Sequence, residues 1–91
     1  MYVITDYTKR QANKYGVDVK PSRNPLKKID VIRNGKVIAS VGAIGYKDYP
    51  TYIKEKGLSY ANERRRLYRL RHVGENSKVG TNGWWAWHLL W

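Results

Sequence analysis

Two runs of β-branched residues stand out along the chain, Lys28-Ile29-Asp30-Val31-Ile32-Arg33 and Lys36-Val37-Ile38-Ala39-Ser40-Val41, separated only by Asn34-Gly35. Strand-forming side chains on both sides of a dipeptide that tolerates positive φ at both central positions predict a β-hairpin with a type I′ turn. With strict alternation, Ile29, Val31 and Ile38 fall on one face and Ile32, Val37, Ala39 and Val41 on the other. Both faces are then apolar, which predicts cover on each side or a third strand, from Met1 to Ile4 or from Val17 to Val19.

Before the hairpin, Thr5 or Asp6 offers an oxygen-bearing N-cap, Tyr7 to Tyr15 can form a short helix, and Gly16 stands where a left-handed residue ends one. Lys9, Arg10, Gln11, Asn13 and Lys14 leave only Tyr7, Ala12 and Tyr15 to pack, so this is a surface helix. Pro21, Ser22, Asn24 and Pro25 predict a loop up to Lys28. After the hairpin, Gly42 and Gly45 mark a turn, and Asp48 caps a helix with Pro50 in its first turn that runs to Lys56 and stops at Gly57. Ser59 is expected to cap the next helix, through about His72, and Gly74 to Lys78 to form a loop. Thr81-Asn82-Gly83 then leads into Trp84 to Trp91, a short C-terminal helix or an extended aromatic tail. The expected architecture is a single α+β domain over residues 1–91. A hairpin or three-stranded sheet has one helix before it and two to three after, and an aromatic segment at 84–91 closes the core.

Composition changes this picture in three ways. At 91 residues, folding buries only roughly 60 to 65% of the unfolded chain's surface, so the core is thin. Cys is absent, which excludes disulfides and thiolate-ligated metals and fits a reducing interior. Lys plus Arg is 18 against 7 for Asp plus Glu, a net charge of +11, and so large an excess calls for a polyanion or an acidic surface as partner. No apolar run approaches the roughly 20 residues of a membrane span. Met1 to Thr5 lacks the basic and apolar regions of a signal peptide, so neither membrane nor export is expected.

The densest charge lies in Glu63 to His72. At helical spacing Arg65, Arg66 and Arg69 fall together on one side and are expected to face outward onto phosphates, joined by Lys9, Arg10, Lys27 and Lys28. Arg64 and Arg71, seven apart, fall inside the apolar arc between Tyr60 and Tyr68. These two are expected to be half-buried, either structural, paired with Asp48, Glu63 or the C-terminal carboxylate, or contacting phosphate. The aromatic residues are eight Tyr and four Trp with no Phe, a set suited to half-exposed walls and interfaces. Tyr46, Tyr49 and Tyr52 are expected to pack in the core or between helices. Trp84, Trp87 and Trp91 share a helical face, suiting either a helix docked on its own domain, which is the expectation, or a partner anchor.

Catalytic groups are few. His72, His88, Glu55, Glu63, Glu75 and the Asp residues show no paired-His metal spacing. A Gly-Ile-Tyr to Tyr-Ile-Gly nuclease arrangement is missing, since Tyr52-Ile53 is followed by Lys54 and Ile44-Gly45-Tyr46 has its letters in another order. Gly42-Ala43-Ile44-Gly45 lacks the Lys-Ser/Thr of a phosphate loop. No catalytic residue, metal site or cofactor is expected.

Three spaced stretches carry a resemblance: Gly42-Ala43-Ile44-Gly45-Tyr46-Lys47-Asp48-Tyr49, Glu63 to His72, and Gly83-Trp84-Trp85 with Leu89-Leu90-Trp91. From about Ile29 onward the chain resembles a family of small basic proteins, mostly uncharacterised, of large DNA viruses of algae and protists and of some phages. It departs from that pattern at Trp87, where the family tends to carry a basic residue, and at His88, where it tends to carry an aromatic or aliphatic one. The resemblance implies a viral origin and a place in the virion or the infected cell's interior, and it implies no activity. The expected function is a non-enzymatic viral protein that binds nucleic acid, DNA ahead of RNA, through a basic face. The alternative is a minor capsid or cement protein anchored to capsid proteins by its Trp-rich tail. An interference protein occupying a host nucleic-acid site fits less well, because such proteins tend to be acidic mimics.

Overall fold

The computed structural model describes residues 2–91. The chain runs α1 (Asp6–Lys14), β1 (Asp18–Pro21), β2 (Lys27–Arg33), β3 (Lys36–Ala43), α2 (Tyr49–Lys56), α3 (Leu58–Arg71), a 3-10 turn at Glu75–Ser77, and α4 (Asn82–Leu89). This is the predicted α+β architecture, a three-stranded antiparallel sheet with one helix before it and three after. The hairpin turns where the sequence requires it, with φ of 52° at Asn34 and 75° at Gly35. Its third strand is β1, which pairs Val19 with Val31 across β2. β1 is an edge strand, which is why it can end on Pro21 without losing a ladder hydrogen bond. Residues 2–5 form no strand, and Met1 lies outside the described residues.

The face assignment of the hairpin is corrected by one residue. Ile32 pairs with Val37, but Val31 pairs with Ala39 and Ile29 with Val41, so Ile38 is an extra residue, a β-bulge. The insertion moves Ala39 and Val41 onto the face of Ile29 and Val31, where all four are buried. It leaves Val37 and Ile38 each 41% exposed at the tip. The other face is polar at its centre: Lys28, 5% exposed, and Asp30, 3% exposed, alternate with the apolar pair along β2.

The helices form largely as their caps dictate. Thr5 Oγ1 accepts from the Thr8 N–H to start α1, and Asp48 Oδ1 accepts from the Thr51 N–H at 3.1 Å to start α2, with Pro50 in its first turn. Ser59 does not cap α3. That helix begins two residues earlier than such a cap implies, at Leu58, with Gly57 in the capping position and no side-chain cap. Thr81 caps α4 through the Trp84 N–H. α1 buries Ala12 as expected, and also Thr8, whose Oγ1 donates to the Leu89 carbonyl at 2.8 Å. Gln11 Nε2 donates to the His88 carbonyl at 3.0 Å, and the Tyr49 N–H donates to the Leu90 carbonyl at 3.0 Å. The C-terminal segment is therefore docked on its own domain by backbone acceptors as well as by rings.

The aromatic face of that segment differs from the expected one. Trp85 and Leu89 point into the core, whereas Trp84 and Trp87 are half-buried beside it. Because α4 ends at Leu89, Trp91 is freed from helical phase and lies flat on Tyr68, centroids 4.4 Å apart and planes 8° apart. Gly42, at φ 83°, lies under this segment: a Cβ there would meet Leu90 Cδ1 at 2.7 Å. No helix among the described residues is long and apolar enough to cross a membrane.

Candidate nucleic-acid interface

α3 carries five arginines in 14 residues, and the helical repeat sorts them onto two sides. Arg65, Arg66 and Arg69 gather with Asn62 and Leu70 around a shallow depression. Arg64 and Arg71, with Tyr68 and His72, face a deeper cleft. The sorting is the predicted one, but the depths are not. Arg65 and Arg69, expected outward, are half-buried; Arg71, expected half-buried, is exposed; Arg64 is half-buried and Arg66 exposed.

Each half-buried arginine is held by a ring rather than a carboxylate. The Arg65 guanidinium lies 3.5 Å from the Tyr49 ring centroid, Arg69 lies 5.0 Å from Trp87, and Arg64 5.5 Å from Tyr52. Arg69 Nη2 also reaches the Trp91 carbonyl oxygen at 3.4 Å. Burial, then the neighbouring Arg65 charge, holds Arg69 below the usual guanidinium value. The Nε atoms of Arg64, Arg65 and Arg69 are buried without an acceptor. Of the α3 arginines only Arg66 has an acidic partner among the described residues: its Nε and Nη2 donate to Glu63 at 3.1 and 2.5 Å. Asp48, the C-terminal carboxylate and Glu63 hold neither Arg64 nor Arg71.

The other predicted phosphate contacts divide. Lys9 and Arg10 are exposed on α1 and Lys27 is half-exposed on β2. Lys28 is not a surface group, which corrects its assignment: its Nζ donates to Asp48 Oδ2 at 3.1 Å in a buried pair. Tyr2 OH shares that oxygen at 2.5 Å, and its phenol is pushed up by burial and by the Asp48 charge. Lys28 follows Lys27 in sequence, and strand alternation places the two on opposite faces, Lys28 on the buried polar one with Asp30.

The cleft has a volume of about 470 Å³ and lies between α3, the segment following β3 and the N-terminal part of α4. Its aromatic lining is Tyr46, Tyr52, Tyr68 and Trp91. Tyr68 stacks on Trp91 and, at 4.2 Å and 23°, on His72. Burial, aided by the Glu75 charge, pushes the Tyr68 phenol up to about 12. His72 Nδ1 lies 3.1 Å from Glu75 Oε2. Tyr46 was expected to pack like Tyr49 and Tyr52; Tyr49 is buried and Tyr52 half-buried, but Tyr46 is 76% exposed at the cleft.

The chain matches no family model, no curated protein and no solved structure. Its chemistry must therefore be read from these residues. Among them no group of His, Asp and Glu is arranged to hold a metal ion. What they do present is positive charge without matching negative charge, on a surface interleaved with rings. The sequence found the cations and missed the cleft, because Tyr46 sits in an irregular segment where no periodicity indicates its direction.

Proposed function

We propose that the protein is a non-enzymatic nucleic-acid-binding protein of viral origin, acting in the virion or the infected cell's interior and binding phosphates through α3 and the exposed cations of α1 and β2. The observation that carries this reading is the state of the arginines of α3. Four of the five have no carboxylate partner among the described residues, in a chain of net charge +11. A protein that needed those charges only for its own fold would supply acids to neutralise them, as this one does for Lys28. Rings hold the stems and planes of Arg64, Arg65 and Arg69 in place while leaving their charge uncompensated, a pre-organised state for charge-assisted bonds to phosphate. The capsid-anchor alternative has no comparable support, because Trp85, Leu90 and Trp91 are buried within the domain.

Salt-dependent binding tests the proposal. If about five to eight phosphates are contacted, log K against log salt should fall with a slope of about −4 to −7 on a duplex. Titration of a labelled duplex by fluorescence anisotropy at several salt concentrations measures it. A slope near zero would remove the nucleic-acid reading.

A further inference from the structure

The cleft beside α3 has a composition that phosphate binding alone does not call for. A surface that only tracks a backbone needs cations; this one places cations around a concave wall of rings. Lys27, Arg64 and Arg71 line it without a carboxylate partner among the described residues, and Glu75 is the one acid in the lining. Its volume of about 470 Å³ falls within the roughly 300–1,000 Å³ of small-ligand sites. We propose that this cleft takes an unpaired nucleobase, with the flanking phosphates on Lys27, Arg64 and Arg71, so that the protein prefers single-stranded nucleic acid to duplex. This inference rests on the nucleic-acid reading above and specifies its ligand.

Three observations carry it. First, the stack of Trp91, Tyr68 and His72, with centroid spacings of 4.4 and 4.2 Å, is the arrangement that bases themselves adopt. Second, Tyr46 lies at the cleft 76% exposed and stacks on no other ring among the described residues. Leaving a large ring in water beside a cavity costs apolar hydration that a stacked base would relieve. Third, the Arg64 guanidinium is fixed over Tyr52 at the cleft with no carboxylate partner among the described residues. An anionic oxygen entering the cleft would supply what the fold leaves out. A duplex cannot use such a site: its bases are paired and stacked internally, and only its phosphates reach a surface. Every base has a π-face, so the cleft selects for unpaired state rather than for sequence.

The experiment compares three probes on the intact protein at one salt concentration: an oligothymidylate of about 12 nucleotides, the same backbone with its bases removed, and a duplex of that length. Binding is read by anisotropy of the probe, with tryptophan emission as a second signal because Trp91 lines the cleft. The oligothymidylate should bind about tenfold tighter than the abasic strand and quench the emission, and Tyr46→Ala should reduce its affinity about fivefold or more. The same variant should leave duplex affinity within about twofold, since it removes no charge. Tyr46 is exposed, so the fold survives the change, and a thermal melt confirms it. Equal affinity for abasic and thymidylate strands, with Tyr46→Ala neutral on both, would overturn the base site and leave phosphate binding standing. Failure to bind any of the three would overturn both.

Discussion

The buried cation of β2 and the half-buried cations of α3 are taken into the fold in opposite ways. Lys28 is buried against Asp48, an acid that also caps α2 and accepts from Tyr2. Two residues on, burial by itself would push the Asp30 carboxyl up. Hydrogen bonds from Ser22 and Ser40, the Arg23 N–H and the Arg23 charge outweigh it and hold the carboxyl below its ordinary value. The two buried charges of β2, on Lys28 and Asp30, are both answered inside the molecule. On α3, Arg64, Arg65 and Arg69 are half-buried against Tyr52, Tyr49 and Trp87, and no acid among the described residues answers them. A ring face stabilises a guanidinium without cancelling its field. A buried positive side chain thus means internal structure in one place and an outward potential in the other.

The largest way to test the balanced half is Asp48→Ala. It leaves the Lys28 ammonium buried without a partner and removes the α2 cap. The expected loss is about 3–5 kcal/mol from the stranded charge and about 1 kcal/mol more from the cap. Against a typical stability of about 5–15 kcal/mol, that brings the domain close to unfolding. Lys28→Met should cost less, because Asp48 keeps the Thr51 N–H and Tyr2 OH as donors. Urea unfolding at neutral pH ranks the two. A loss below about 1 kcal/mol for Asp48→Ala would mean that the pair is not the internal balance assigned to it.

The unbalanced half predicts smaller and graded effects. Arg65→Gln and Arg69→Gln each remove a cation–ring contact and should cost about 0.5–2 kcal/mol. Arg66→Gln breaks only an exposed pair with Glu63, and should leave the unfolding midpoint essentially unchanged. All three should weaken binding to a duplex and make the salt slope shallower by about 1 each. Chemical denaturation and salt titration of the same variants separate the two roles. If all three lost equal stability, the rings would not be holding Arg65 and Arg69.

The hairpin, the caps at Thr5 and Asp48 and the stops at Gly16 and Gly57 were legible because each depends on a few adjacent residues. What was not legible depends on the partner element. The bulge at Ile38 is invisible in β3 alone, since an alternating run reads the same until its pairing with β2 is known. Ser59 has a capping side chain, but α3 starts directly behind Gly57 and leaves it inside the first turn. The two arginine sides followed from helical spacing. Their depths did not, because an arginine stem can be covered by a ring that arrives from a distant segment, as Trp87 does over Arg69. The Trp84, Trp87 and Trp91 face requires a helix continuing to the last residue, but α4 ends at Leu89 and turns Trp85 to the core.

The smallest effect uses His88 as a reporter of the uncompensated field. Its ring sits beside Tyr15, whose hydroxyl lies 3.0 Å from Nδ1, and against Trp84. Burial, then the charges of Arg69 and Lys14, holds His88 below its ordinary value of 6.5. The unfolded chain therefore takes up the proton first as pH falls. The stabilising contribution is complete above about 6.5 and is lost as pH drops from there through the lower folded value. Comparing melting midpoints at about pH 7.5 and pH 5 keeps the measurement above most of the carboxylate range. The wild-type chain should melt at a lower temperature at about pH 5 than at about pH 7.5, and His88→Gln should lose less over the same interval. Added salt should shrink the difference by screening Arg69 and Lys14, while leaving the part due to burial. A midpoint that rises towards pH 5 in the wild-type chain, or an identical drop in His88→Gln, would show that the field at this end of α3 is neutralised after all.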